Sequence, residues 1–272
     1  MSLQGKTLFI TGASRGIGRE IALKAAAQGA NIVIAAKSAE PHAKLPGTIH
    51  SVAAEVEEAG GKALALQLDV RDENAVNAAM AQAAEHFGGI DALINNAGAI
   101  KLVGVEKLDP KRFDLMFQIN TRAVMVCSQA ALPYLKDSRG HILSLSPPLN
   151  LDPKWFANYG PYTTTKYGMS MLTLGMHEEF KKYGISVNSL WPKTVIATAA
   201  IEFEAGGPAV MKAARLPAIM ADAAHAILSS SERSISGRLL IDEEILREQG
   251  QEDFEQYRYD PAGKLMTDLF ID

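Results

Sequence analysis

Tyr162 and Lys166 stand four residues apart in PYTTTKYGMSMLTLGMHEEF, a stretch that reads helical. Residues at i and i+4 share one helix face, so both side chains can reach a common point. A tyrosine titrates near ~10 and is a poor base at neutral pH. A lysine cation beside it favours the phenolate, and a positioned phenol can then exchange the proton that accompanies making or breaking a carbonyl. The pair alone is unspecific, as the adjacent Tyr167 illustrates. A second loaded stretch is LFITGASRGIGREIALKAA, where Thr11, Gly12, Ser14, Arg15, Gly16, Ile17 and Gly18 join a strand to a helix. Small residues let a backbone approach a pyrophosphate, and a helix N-terminus offers free N–H groups with a positive dipole end. A bare glycine cluster can also be only a turn. The strand–turn–helix context, with a second strand ending about 20 residues on, fits a dinucleotide fingerprint. The spacing is G-x-x-x-G-x-G rather than the more widespread G-x-G-x-x-G.

The end of the second strand should read the adenosine ribose, an acid taking a 2′-hydroxyl and a base accommodating a 2′-phosphate. Asn31–Ala36 runs into Lys37-Ser38 with no acid before Glu40, and Arg15 lies inside the glycine loop. Two cations and no carboxylate favour NADP over NAD. The alternative is that Lys37 and Arg15 are ordinary solvated charges.

These residues need a scaffold, and the rest of the chain describes one. Lys6–Thr11, Asn31–Ala36, Ala63–Leu68, Asp91–Asn95, His141–Leu145, Ile185–Leu190 and Gly237–Ile241 are strand-length apolar runs. They are continuous rather than alternating in hydrophobicity, as strands covered on both faces are. Between them lie helical patterns. Glu73–Phe87 carries Val76, Met80, Ala83 and Phe87 on one face, and Asp109-Pro110 is a helix start. Gly29, Gly60, Gly88 and Gly184 punctuate the step from helix to strand. The alternation implies a parallel sheet with helices on both sides and one domain over 1–272. Two prolines make 38–50 a loop, 193–217 reads as a mobile excursion, and 251–272 as an acidic, aromatic tail.

With 272 residues, 47% hydrophobic, the chain has material for a full core without metal or disulfide staples. Cys127 is alone, which excludes an internal disulfide and a cysteine-based zinc site, and reads as packing. Six histidines show no metal-ligand spacing, and a net charge of −4 without basic blocks argues against nucleic acid. No apolar run approaches a membrane span, and no signal pattern opens the chain, so a cytoplasmic location is expected.

TGASRGIG, Asp69 closing the third strand, Asn95-Asn96-Ala97-Gly98 closing the fourth, Asn120, and Tyr162-x-x-x-Lys166 occur in that order over essentially the whole chain. This set resembles the short-chain dehydrogenase/reductase superfamily. The stretches PHAKLPGTIH, SPPLNLDPKWF, KYGMSM, LGMHEEF, WPKT and IDEEIL are similar to its hydroxysteroid dehydrogenase-like protein 2 subfamily, without that subfamily's sterol-carrier domain. The resemblance implies an α/β, single-domain Rossmann-type doubly wound parallel sheet of about seven strands. It implies Tyr162 as general acid/base, Lys166 on the nicotinamide ribose, Asn120 supporting a water relay, and Asp69 and Val70 near the adenine. Asn96, Ala97 and Gly98, with Pro192 and Thr194, would complete the cofactor site; Thr198 is a further candidate for the carboxamide.

Two positions depart from the pattern. The family usually has a small polar residue where this chain has Pro147, which carries no donor; Ser146 is the nearest substitute, one residue early. Lys193 stands where glycine is usual. The expected activity is NADP(H)-dependent interconversion of a carbonyl and a secondary alcohol on a hydrophobic, lipid- or steroid-like substrate. The rival is an NADP-binding, lipid-associated module with weak or no catalysis because of Pro147; isomerisation or dehydration is a third reading. Trp155, Phe156 and Tyr159 read as pocket walls or core. The methionines Met169, Met171 and Met176 read as core or subunit contact. Substrate choice falls to 193–217 and the tail, which folds over the pocket or onto a neighbouring subunit. A homodimer or homotetramer is expected.

Overall fold

The continuous apolar runs become strands because each is roofed on both sides. The computed structural model describes residues 2–43, 45–204, 206–230 and 235–272. Its strands are β1 (Thr7–Thr11), β2 (Asn31–Ala36), β3 (Lys62–Gln67), β4 (Ala92–Asn95), β5 (His141–Ser144), β6 (Ser186–Trp191) and β7 (Leu239–Ile241). They form one seven-stranded sheet in the order β3-β2-β1-β4-β5-β6-β7, with every neighbouring pair parallel. The order reverses between β1 and β4, and ligands of such sheets bind beyond the strands' carboxyl ends at that switch.

The helices are α1 (Gly16–Ala26), α2 (Ile49–Glu58), α3 (Glu73–Phe87), α4 (Pro110–Phe117), α5 (Ala123–Ser138), α6 (Lys154–Ala157), α7 (Gly160–Phe180), α8 (Ala199–Glu204), α9 (Gly207–Lys212), α10 (Ala218–Leu228) and α11 (Asp242–Glu248). Leu8 and Ile10 of β1 pack into one core with Ile21 of α1, Val52 of α2, Met220 of α10 and Ile245 of α11. Phe9 between them points into the other, with Met80 of α3, Cys127 of α5 and Met169 of α7. The period-2 alternation expected of a strand is therefore present, hidden in the sequence because both faces are apolar. Burial pushes the Cys127 thiol up to about 12, so it packs as a small hydrophobe.

Several expectations shift in detail. The loop drawn over 38–50 ends earlier, since α2 starts at Ile49. Thr48 caps it reciprocally with Ser51, through Ser51 N–H to Thr48 Oγ1 at 3.0 Å and Thr48 N–H to Ser51 Oγ at 2.9 Å. The 193–217 excursion contains α8 and α9. Its two ends are held by a parallel bridge from Ile196 to Arg215 and an antiparallel one from Arg215 to Arg258. Asn120 lies not in a regular helix but in a π-turn, Gln118–Arg122, between α4 and α5. Met169 and Met176 are core, whereas Met171 is exposed. Among the described residues no helix is long and apolar enough to cross a membrane, and no cluster of His, Cys, Asp and Glu suits a metal ion.

Candidate functional site

The glycine loop leaves β1 and enters α1 with Gly12 and Gly16 at φ +67° and +56°, conformations that favour glycine. The segment after β4 braces it from behind. Asn96 Nδ2 donates to Thr11 O (2.8 Å) and Gly12 O (3.0 Å), and the N–H groups of Asn96 and Ala97 donate to Thr11 Oγ1 (3.0 and 3.1 Å). A Cβ on Gly12 would come within 2.8 Å of Ala97 Cα, and one on Gly18 within 2.5 Å of Asn96 Nδ2. Arg15 at the N-cap of α1 gives no side-chain cap, leaving the helix's first N–H groups for a ligand. This cradle, closed to side chains and with an α1 N-terminus that its N-cap side chain leaves uncapped, fits a dinucleotide pyrophosphate. Thr198 borders it, its Cγ2 lying 3.5 Å from where a Gly16 Cβ would be.

Arg15 and Lys37 both lie at the end of β2, but the expected absence of a carboxylate there does not hold, because Asp69 folds in from the end of β3. Arg15 donates through Nη2 to Ser38 Oγ (3.0 Å) and Gly47 O (3.0 Å), and through Nε to Pro46 O (2.8 Å). Lys37 Nζ lies 3.3 Å from Asp69. Asp69 is chelated mainly by the Arg71 guanidinium, which holds its carboxyl far below the usual range. Val70 packs beside it in the core.

Tyr162 and Lys166 lie one turn apart on α7, both buried. Lys166 Nζ donates to Leu145 O, just past β5, at 2.6 Å, and lies 4.9 Å from the Trp191 ring. Burial brings the ammonium down to about 7, offset in part by Asp268. Burial also pushes the Tyr162 phenol well above its ordinary value, and the Asp268 charge acts in the same direction. Asn120 is satisfied entirely by protein: its Nδ2 donates to Ala99 O and Thr165 Oγ1 (both 2.9 Å), and its Oδ1 accepts from Ala99 N–H (2.8 Å). It thereby ties the segment after β4 to α7, next to Lys166, and a Cβ added at Gly98 would lie 3.5 Å from its Oδ1. Ser146 Oγ is fully buried and has no hydrogen-bond partner. Pro147 offers only its carbonyl, which accepts from Ser170 Oγ at 2.6 Å.

A family model described as short chain dehydrogenase matches residues 6–205. The chain belongs to the short-chain dehydrogenase/reductase family. It is 55% identical over 271 residues to hydroxysteroid dehydrogenase-like protein 2 of Xenopus laevis, covering 99% of this chain and 64% of that protein. The chain thus spans about half to two thirds of the length of such curated relatives. A putative dehydrogenase from Xanthomonas campestris superposes with a TM-score of 0.96 at 52% identity, covering both chains completely. A short chain dehydrogenase from Burkholderia cenocepacia J2315 in complex with NADP superposes at 0.75 with 31% identity, covering 89% of this chain and 97% of that one. Carveol dehydrogenase from Mycobacterium avium, with a TM-score of 0.75 at 24% identity, was solved in complex with NAD.

Against this short-chain dehydrogenase/reductase frame, the residues that sequence reasoning missed lie in the tail and in its anchor. Thr267 forms an antiparallel bridge with Thr194, whose Oγ1 is buried without a partner. Asp268 N–H donates to Lys193 O (3.0 Å), and burial raises the Asp268 carboxyl to about 7. Phe270 packs with Tyr162, Trp155, Tyr167 and Trp191. Phe156 meets Tyr167 edge-on but is more than a third exposed, and Tyr159 packs on the same cluster. The other half of the anchor follows β7, where Asp242 and Glu243 are both buried. Lys193 N–H donates to Asp242 Oδ1 (2.8 Å), and its Nζ to Glu243 Oε1 (2.9 Å). An IDEEIL motif beside a WPKT motif was the available signal. Sequence distance, about 50 residues, hid the pairing.

Proposed function

We propose that this chain is an NADP(H)-dependent oxidoreductase interconverting a carbonyl and a secondary alcohol on a hydrophobic substrate, with Tyr162 as general acid/base. The observation that carries this reading is the Tyr162–Lys166 pair on one face of α7, with Lys166 fixed to Leu145 O beside the carboxyl ends of the strands. The glycine loop and the α1 N-terminus would hold the pyrophosphate, and the nicotinamide, when bound, supplies or takes the hydride. Tyr162 would give its Oη proton to the substrate oxygen in reduction and take it back in oxidation. Its raised titration keeps it protonated at rest, which suits an acid. Lys166, together with the positive charge of the oxidised cofactor, would lower that barrier for the reverse direction. Asn120 holds α7 at the lysine, and Ser146 is the side chain nearest in sequence to the missing donor at Pro147. Pro192 and Thr194 would face the carboxamide, with the unpartnered Thr194 Oγ1 as donor or acceptor.

Arg15, Lys37 and Arg71 against the single carboxylate of Asp69 leave net positive charge around the expected ribose, which supports a 2′-phosphate. Asp69 and Val70 would border the adenine. Exposed Phe117, Met125, Met171 and Leu174 on α4, α5 and α7 support a homo-oligomer. A second reading, a cofactor-binding module with little turnover, draws on Pro147 and on the ring of Phe270 over Tyr162. One experiment separates them: NADPH consumption with a panel of hydrophobic ketones. Turnover that Tyr162→Phe abolishes, with NADPH binding retained, supports the enzyme; Tyr162→Phe at wild-type rate overturns Tyr162's role. In the same preparation NADPH should raise the melting temperature more than NADH at equal concentration, and Lys37→Asp should reverse that order.

A further inference from the structure

Phe270 enters the site as a ring. It is 1% exposed, and its centroid lies 5.2 Å from Tyr167, 5.7 Å from Trp155, 5.9 Å from Trp191 and 6.4 Å from Tyr162, the last nearly stacked at 26°. Its backbone is left-handed, φ +72°, a region that bulky residues rarely adopt. The surroundings impose that conformation: Trp191 Nε1 donates to Leu269 O (2.9 Å), and Asp268 is bonded to Lys193. The far end is fastened less firmly. Asp272 accepts from Lys154 Nζ (2.7 Å) and Asn150 Nδ2 (2.9 Å), all at the exposed surface, where such pairs contribute little. One feature of the box is left unused by a phenyl group: the Trp155 indole N–H is buried with no acceptor. A buried donor without a partner is costly, so an occupant that brings an acceptor within reach of this N–H would gain by pairing it.

We propose that Phe270 is a resident stand-in for substrate, and that the box of Trp155, Tyr162, Tyr167 and Trp191 takes a planar ring carrying a hydrogen-bond acceptor once the 267–272 strap withdraws. The inference deepens the oxidoreductase reading, resting on Tyr162 as the reacting acid, and names a cyclic ketone of aromatic or planar character as the substrate class. Straight-chain ketones bring the same carbonyl acceptor but would leave the box poorly filled.

The chain's two tryptophans both line this box, so their fluorescence reports on it alone. Wild type, Phe270→Ala and the doubly substituted Lys154→Ala/Asp272→Asn are titrated with 1-tetralone and with 2-decanone, correcting for ligand absorbance, and assayed with NADPH. Removing the resident ring should lower the tetralone Kd and KM by at least about tenfold, the smallest factor that burial of a phenyl side chain confers. Loosening the latch should lower both about two- to fivefold. The decanone values should shift less. Weaker or unchanged tetralone binding in Phe270→Ala makes the ring a wall of the pocket and overturns the proposal, as does equal gain for decanone. Should Phe270→Ala fail to fold, an unchanged Kd in the latch variant overturns it. A lowered Kd without turnover in any variant keeps the stand-in and sinks the oxidoreductase reading; Tyr162-dependent turnover with unaltered Kd and KM does the reverse.

Discussion

Glu243→Gln is expected to destabilise the protein by about 3–5 kcal/mol. The carboxylate accepts from Lys193 Nζ (2.9 Å), Arg215 Nη1 (2.7 Å) and Arg247 Nη2 (2.9 Å). These donors are unequal. The Lys193 and Arg247 side chains are 43% and 52% exposed, so each pair contributes about 0–1 kcal/mol. Arg215 is 7% exposed, and its Nε already lacks a partner, so without Glu243 its buried guanidinium loses its only ion pair and keeps just the more distant Asp242 charge and the Phe254 ring, 5.5 Å away. That term sets the magnitude. In urea at pH 7, with a slope of about 3 kcal/mol/M for a chain of this size, the midpoint should fall by about 1–1.7 M. Arg215→Met/Glu243→Leu should recover most of the loss, because replacing a buried pair with apolar groups is often close to neutral. The pH dependence carries a sign. Burial alone would raise the Glu243 carboxyl; the three cationic donors outweigh it and hold it at about 2. A carboxyl depressed in the folded state stabilises above its unfolded value, and that contribution is lost as pH falls toward about 2. The gap between wild type and Glu243→Gln should therefore narrow below about pH 4. A midpoint change under about 0.3 M, or a Lys193→Ala variant as damaging as Glu243→Gln, would show that Arg215 is not the uncompensated charge and refute the reasoning.

Other perturbations probe separate parts of the fold. Burial brings the His141 imidazole down to about 4 from 6.5, where its Nε2 sits 3.0 Å from Asn188 Nδ2. The unfolded chain thus protonates first on acidification, and His141 alone should cost about 3 kcal/mol of stability between pH 6.5 and 4, a slope that His141→Gln removes. Gly18→Ala places a Cβ 2.5 Å from Asn96 Nδ2 and 2.8 Å from Gly12 O, so affinity for a nicotinamide dinucleotide should fall at least about tenfold and the melting temperature by several degrees. Gly175→Ala on α7 meets nothing within 4 Å, and urea unfolding should show a gain of about 0.5–1 kcal/mol.

What the sequence makes legible is what local chemistry encodes. Glu73–Phe87 and the Asp109-Pro110 start appear as expected because their caps act within three residues: Asp72 accepts from Ala75 N–H, and Asp109 from Lys111 N–H. The glycine loop is legible because its backbone demands glycine at Gly12 and Gly16. The π-turn at Asn120 is not, since Gln-Ile-Asn-Thr-Arg is ordinary helix composition and the extra residue is fixed by bonds to Ala99 and Thr165. The start of α2 is missed because Ser51, not Glu or Gln, completes the capping box. The tail is hidden for a stronger reason. Phe270 and Tyr162 meet across more than a hundred residues, and no periodicity in an acidic, aromatic segment announces its partner.

Lys193, the departure from the usual glycine, acquires a physical reason from these connections. Its N–H is committed to Asp242, its ammonium to Glu243 and its carbonyl to Asp268 N–H, so one residue couples the segment after β6, the start of α11 and the tail. A glycine would keep the two backbone bonds but lose the ammonium, leaving Glu243 with two donors. It would also free the backbone of the side-chain constraint that now fixes its direction. That direction aligns Thr194 with Thr267 and, three residues later, delivers Phe270 to Tyr162. The buried acids of IDEEIL and the lysine of WPKT are thus coupled to the same tail, and changing either should alter access to Tyr162 before it alters the chemistry there. Lys193→Gly would then behave as a milder Phe270→Ala, with NADPH binding unchanged and KM lowered. An unchanged KM alongside lost stability would confine Lys193 to holding the fold.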